Sequence, residues 1–137
     1  MKPRSLIFTI LFSLAACCTQ AIAAAETETL ASGVVITHTT QGTGPMPTAT
    51  DRVKVHYRGT LMDGTEFDSS YKRNEPAVFP LSMVIRCWTQ GLQKIKVGGK
   101  ARLTCPAVTA YGDRGAGRLV PPNAPLTFDV ELLAIER

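Results

Sequence analysis

The stretch Asp51-Arg52-Val53-Lys54-Val55-His56-Tyr57-Arg58-Gly59-Thr60-Leu61-Met62-Asp63-Gly64-Thr65-Glu66-Phe67-Asp68 decides the fold. Val53, Val55 and Tyr57 point one way, while Arg52, Lys54, His56 and Arg58 point the other, which is the pattern of a half-buried strand. Asp63-Gly64 supplies a hairpin turn, and Thr65 to Asp68 begins the return strand. Working outward, the same alternation recurs. Lys100 to Cys105 places Ala101, Leu103 and Cys105 inward. Leu126, Phe128, Val130 and Leu132 do so near the C-terminus, with Thr127, Asp129 and Glu131 outward, and Gly33 to His38 is a further short strand.

One segment breaks the period. Ile85, Trp88, Leu92 and Ile95 form a helical stripe, with Ser82 as the expected N-cap and Gly98-Gly99 as the stop before the next strand. The expected architecture is α+β, an antiparallel sheet with one helix laid on its apolar face. Gln41 to Pro47 reads as a loop because strand patterns lie on both sides of it. Tyr111 to Pro125 is a long loop rich in Gly and Pro, a length often tied to function.

The 137 residues suit one domain, and there is no internal repeat. Residues 1–25 read as a cleaved export signal. Lys2 and Arg4 form a positive start, Leu6 to Ala16 is apolar apart from Thr9 and Ser13, and Ala21-Ile22-Ala23 and Ala23-Ala24-Ala25 both suit a cleavage site. Leu14-Ala15-Ala16-Cys17 also resembles a bacterial lipobox. Lipidation at Cys17 would tether residues 26–137 to a membrane surface; cleavage near Ala23 or Ala25 would release them. Either way the expected location is exported, in the periplasm or cell envelope. The net charge of +4 includes Lys2 and Arg4; without them 13 basic residues face 11 acidic ones, too small an excess to imply a nucleic-acid partner.

Covalent and metal chemistry are poorly supplied. Gly115-Ala116-Gly117 lacks the third glycine of a dinucleotide fingerprint, Gly98-Gly99-Lys100-Ala101 lacks the Ser or Thr of a phosphate loop, and there is no Gly-x-Ser-x-Gly elbow. No Cys/His spacing resembles a zinc site, and nothing calls for a cofactor. His38 and His56 lie on strands, His56 on the polar face. Cys87 and Cys105 are read either as two buried thiols or, after export to an oxidising compartment, as a disulfide. What remains is a set of apolar and aromatic residues with one or two carboxylates, which suits a binding site.

Val55 to Ser70 resembles the first signature of the FK506-binding family. Val84-Ile85-Arg86-Cys87-Trp88 is similar to that family's Val-Ile-x-Gly-Trp segment. Ala110-Tyr111-Gly112, Val120-Pro121-Pro122-Asn123-Ala124 and Leu126 to Leu133 follow in the family's order. The resemblance runs from about Gly33 to Glu136. It implies a five- or six-stranded antiparallel sheet wrapped around a short helix, and peptidyl-prolyl cis-trans isomerase activity on Pro-containing polypeptides. It implies a proline-ring pocket lined by Tyr57, Phe67, Val84, Ile85, Trp88, Tyr111 and Phe128, with Trp88 as its floor. Asp68 and Tyr111 would supply polar contacts, and the Ile85 N–H would bind a substrate carbonyl. Arg73 would hold Asp68 and Tyr57, with Ala77 and Val120 in supporting places. FK506- and rapamycin-like macrolides are the expected pocket ligands.

The match has departures. Cys87 stands where the family has glycine, which would strain the backbone if φ were positive there. Ala77 replaces a bulky aromatic of some members, which implies a more open pocket. The long helical dimerisation arm of some relatives has no counterpart in the sequence, so a monomer is expected. The rival reading is a non-catalytic module or holdase that grips Pro-containing or unfolded chains in the same pocket.

Overall fold

The computed structural model describes residues 26–137; the expected export signal, the lipobox and its Cys17 lie outside them. Seven strands, β1 (Glu26–Thr29), β2 (Val35–Thr40), β3 (Arg52–Leu61), β4 (Glu66–Ser69), β5 (Ala77–Pro80), β6 (Lys100–Cys105) and β7 (Leu126–Glu136), accompany one helix, α1 (Arg86–Leu92). They form a single antiparallel sheet in the order β1-β2-β6-β7-β3-β4, with β5 also paired to β3. β3 is long enough to serve two partners on one edge: Arg52 to Val55 pair with β5, and Arg58 to Thr60 pair with β4.

The period-two pattern sorts these strands as their sequence demands. Val53, Val55 and Tyr57 of β3, Ala101, Leu103 and Cys105 of β6, and Leu126, Phe128, Val130 and Leu132 of β7 are all buried. Their face receives Cys87, Trp88 and Leu92 from α1. Each fully buried leucine here contributes about 1.5–3 kcal/mol relative to exposure. A Cβ on Gly91 would stand 2.9 Å from Leu103 Cδ2, so this glycine lets the helix settle closely onto β6.

The antiparallel sheet around one short helix is as the resemblance implies, with seven strands in place of five or six, and two of the seven carry little hydrophobic signal. β1 is Glu-Thr-Glu-Thr, exposed throughout, and β5 is four residues ending in proline.

The helix also starts later than the sequence implies. Ser82 lies in a separate 3₁₀ turn, Leu81–Met83, and Val84 is extended (φ −110°, ψ 173°), which interrupts any continuous helix. Ile85 is the N-cap, with no side-chain capping bond. Ile95 completes the buried stripe beyond Leu92 through tighter turns, its N–H donating to Leu92 O at 3.1 Å. The chain then reverses at Gly98 (φ +91°).

Cys87 of α1 and Cys105 of β6 form a disulfide, with Cα atoms 5.7 Å apart and both residues fully buried. Of the two readings left open by the sequence, the structure has the bonded one. Cys87 sits within α1 and is not among the positive-φ residues, so a side chain in the place of the family's glycine strains nothing.

The long loop after Tyr111 is held by its own backbone. Ala116 and Val120 exchange hydrogen bonds of 2.9 and 3.1 Å, and Asn123 N–H donates to Gly112 O at 2.8 Å. Among the described residues, no helix is long and apolar enough to cross a membrane.

Candidate active site

A cavity of about 330 Å³ opens where α1, the 3₁₀ turn before it and the long loop meet the apolar face of the sheet. All eight residues expected to form the pocket line it: Tyr57, Phe67, Asp68, Val84, Ile85, Trp88, Tyr111 and Phe128. Trp88 is 4% exposed, and three rings meet it edge to face: Tyr57 at 5.1 Å, Phe79 at 5.4 Å and Phe128 at 5.3 Å between centroids. Such perpendicular pairs add about 0.5–1.5 kcal/mol each beyond area burial, so the indole is held rigidly. Its Nε1–H is buried with no hydrogen-bond partner, an arrangement that costs about 1–3 kcal/mol.

Phe67 stands against Phe128 at 5.6 Å and forms a wall. Gly59, beside both on β3, makes this possible: a Cβ there would lie 2.6 Å from Phe67 Cζ and 2.9 Å from Phe128 Cε1. The sequence pattern does not flag this requirement, since the glycine occupies an ordinary strand position.

The polar side of the cavity is a closed triad. Tyr57 Oη donates to Asp68 Oδ2 at 2.5 Å, Arg73 Nη1 donates to Asp68 Oδ1 at 2.8 Å, and Arg73 Nη2 donates to Tyr57 Oη at 3.0 Å. The Arg73 guanidinium also lies over the Tyr57 ring, 5.8 Å from its centroid. Burial pushes the Tyr57 hydroxyl above its ordinary pKa, and the Asp68 carboxylate adds to this. Burial opposes ionisation of Asp68, but hydrogen bonds from Tyr57 and Arg73 and the charge of Arg73 outweigh it. The carboxyl is held below its ordinary 3.8.

A carboxyl lowered on folding stabilises the fold above its unfolded pKa, and loses that contribution as pH falls through its folded value. The stability gap between wild type and Asp68→Asn is therefore expected to be constant from about pH 8 down to about pH 5 and to close only at pH values below 3.8. Urea denaturation at a series of pH values reads it; a gap that closes already near neutrality would contradict the triad.

Two donors at the mouth are free. Tyr111 is 39% exposed, and its hydroxyl makes no hydrogen bond among the described residues. Burial and then the Asp68 charge push its pKa up, so it stays protonated. The Ile85 N–H, at the helix start, likewise has no partner among them.

Three supporting residues were expected. Arg73 completes the triad. Val120 is buried and lines a neighbouring groove. Ala77 is a correction: it pairs with Val55, packs against the core and is not among the residues that line the cavity. Phe79, two residues along on the same face of β5, lines the cavity. Phe79 and Met83 line the cavity unanticipated by the sequence reading. Phe79 was recoverable from period-two spacing with Ala77, whereas Met83, 81% exposed in a 3₁₀ turn, carries no periodic signal.

His56 is half-buried, stacked on Tyr71 at 4.7 Å, with Nδ1 2.9 Å from Ser70 Oγ and away from the cavity lining. No group of three or more potential metal ligands occurs among the described residues.

An antiparallel sheet closed over one short helix, with an aromatic cavity at the seam and free donors at its mouth, defines a small pocket protein. The chain belongs to the FKBP-type peptidyl-prolyl cis-trans isomerase family, whose model matches residues 44–133. It is 60% identical over 96 residues to the FKBP-type peptidyl-prolyl cis-trans isomerase FkpA of Aeromonas hydrophila, covering 70% of this chain and 35% of that protein. It is 52% identical over 104 residues to the FKBP-type 22 kDa peptidyl-prolyl cis-trans isomerase of Escherichia coli K12, covering 76% of this chain and 50% of that one. The chain thus spans between a third and a half of the length of these curated relatives.

Among solved structures it is similar to FkpA from Escherichia coli, with a TM-score of 0.77 at 47% identity, covering 80% of this chain and 51% of that one. It is also similar to a peptidyl-prolyl cis-trans isomerase from Pseudomonas syringae pv. tomato DC3000, with a TM-score of 0.77 at 44% identity, covering 84% of each chain.

Proposed function

We propose that this chain accelerates rotation about Xaa-Pro bonds in exported polypeptides, without any covalent intermediate. The observation that carries this reading is the Trp88 floor boxed by three perpendicular rings, with two unengaged donors above it.

An Xaa-Pro bond isomerises slowly because amide resonance has to be broken, at a barrier of roughly 20 kcal/mol. The planar ground state is dipolar and well solvated by water. The twisted transition state has lost conjugation and much of that charge separation. Transfer from water into an apolar cavity therefore disfavours the planar form relative to the twisted one. Phe67, Val84, Ile85, Trp88 and Phe128 supply this environment, with Phe79 completing it. An acceleration of about a thousandfold needs about 4 kcal/mol of such difference.

The Ile85 N–H anchors one substrate carbonyl, the Tyr111 hydroxyl holds the chain across the mouth, and rotation proceeds about the bond between fixed ends. The Asp68–Arg73–Tyr57 triad keeps the polar wall engaged with itself, so that it presents a fixed dipole and recruits little water. Arg73 acts through Asp68 and Tyr57 as a positioning residue.

The natural substrates in this reading are Pro-containing chains in the periplasm or envelope. The export-signal pattern and the buried disulfide support that location. The protein acts as a monomer, and membrane attachment follows only if Cys17 is lipidated. FK506-like macrolides compete for the pocket.

A protease-coupled isomerisation assay on a short Xaa-Pro peptide tests the proposal. Turnover inhibited by FK506 supports it. Saturable peptide binding with no acceleration would replace it with a holdase.

A further inference from the structure

A second groove adjoins the cavity. It holds about 210 Å³ and shares Phe67, Asp68 and Tyr111 with the aromatic pocket; Arg118, Leu119 and Val120 form its outer wall. A chain whose proline ring lies over Trp88 therefore has room for one neighbouring side chain beyond the Phe67 wall.

The charges around this groove are uneven. Asp68 is already engaged by Arg73 at 2.8 Å, and Glu66 beside it is held by Arg58 at 2.5 Å and Lys72 at 2.8 Å. Arg118 is exposed and makes no ion pair or hydrogen bond among the described residues. The other charges of its loop, Asp113 and Arg114, are opposite in sign and line neither cavity. The groove thus presents one uncommitted cation, Arg118, beside a single carboxylate, Asp68, that is already paired with Arg73. Tyr111 and Leu119, both exposed, give the stem of a bound side chain apolar surface.

We propose that Arg118 is a specificity-determining residue that favours proline segments carrying an acidic side chain next to the proline. This rests on the isomerase reading above, and it extends that reading from any Xaa-Pro bond to a preferred class. Exposed ion pairs contribute little, typically well under a tenfold factor. Arg118 accordingly biases selection among substrates that the aromatic pocket accepts in any case, and salt weakens the bias.

The test compares kcat/KM, each taken relative to that peptide's own uncatalysed rate, for otherwise identical peptides bearing Glu, Gln or Lys directly before the proline. A second set carries them directly after it. At low ionic strength the Glu peptide of one set is expected to exceed the Lys peptide by about three- to fivefold, with the difference shrinking at high salt. The set that responds shows which neighbour enters the groove. In Arg118→Glu the order is expected to invert. Equal values for Glu and Lys in both sets, or an order that persists in Arg118→Glu, would overturn the proposal. The Gln peptides separate the two readings. If they are accelerated while charge makes no difference, only the role of Arg118 falls. If they are not accelerated, the isomerase reading itself fails and takes this one with it.

Discussion

Phe67→Ala is expected to lower kcat/KM for an Xaa-Pro peptide by about 100-fold, which is about 2.7 kcal/mol of lost transition-state stabilisation. Phe67 separates the aromatic cavity from the outer groove and lines both. Removing the ring merges the two spaces and admits water beside Trp88. Water restores the solvation that the planar imide loses on entry, so the differential on which the rate depends disappears. Burial of Phe67 is only partial, so the variant is expected to lose about 1–2 kcal/mol of stability, less than the 3–5 typical of a core Phe→Ala change. Urea denaturation alongside the assay separates the effects. A folded variant within about threefold of wild-type activity would remove Phe67 from the site, since an effect that small is below about 1 kcal/mol.

Loss of the disulfide is the second large effect. In Cys87→Ala/Cys105→Ala the stability is expected to fall by about 3 kcal/mol. The bond closes a loop of 18 residues' separation, and constraint of the unfolded chain on that scale is worth about this much. With a urea dependence of about 1–3 kcal/mol per molar, the denaturation midpoint moves down by about 1–3 M. Activity is expected to suffer as well, since Cys87 directly precedes Trp88 and ties the helix bearing the indole to β6. An unchanged midpoint would mean that the bond is dispensable and that the close packing of the helix on Leu103 at Gly91 holds it unaided.

The strands and the site were legible in the sequence to different degrees, for physical reasons. β3, β6 and β7 are half-buried, so Val53-Val55-Tyr57, Ala101-Leu103-Cys105 and Leu126-Phe128-Val130-Leu132 each show alternation. β1 buries nothing and therefore shows none. The helix was visible through Trp88, Leu92 and Ile95, but its start was not. Ser82 is a good capping residue in isolation, yet the extended Val84 divides the segment, and no local rule reveals that. The eight pocket residues came from the family resemblance, because composition alone cannot distinguish a ring that lines a cavity from one that fills a core. Phe79 shows the same point in reverse. It packs against Trp88 at 5.4 Å, beside Tyr57 at 5.1 Å and Phe128 at 5.3 Å, while the resemblance pointed to Ala77, two residues before it, as the supporting position on this strand. The Cys87–Cys105 bond required knowing that the start of α1 and the end of β6 lie side by side, which is a tertiary fact.

The proposed catalysis requires that the aromatic cavity lower the barrier to rotation while leaving the cis–trans equilibrium of the peptide unchanged. Exchange NMR on a proline peptide in excess over the protein tests it most directly. The account predicts cis–trans exchange cross-peaks on a sub-second timescale, against tens of seconds or longer for the free peptide, with the cis-to-trans ratio unchanged. Peptide resonances that shift on binding while exchange stays at the uncatalysed rate would contradict it.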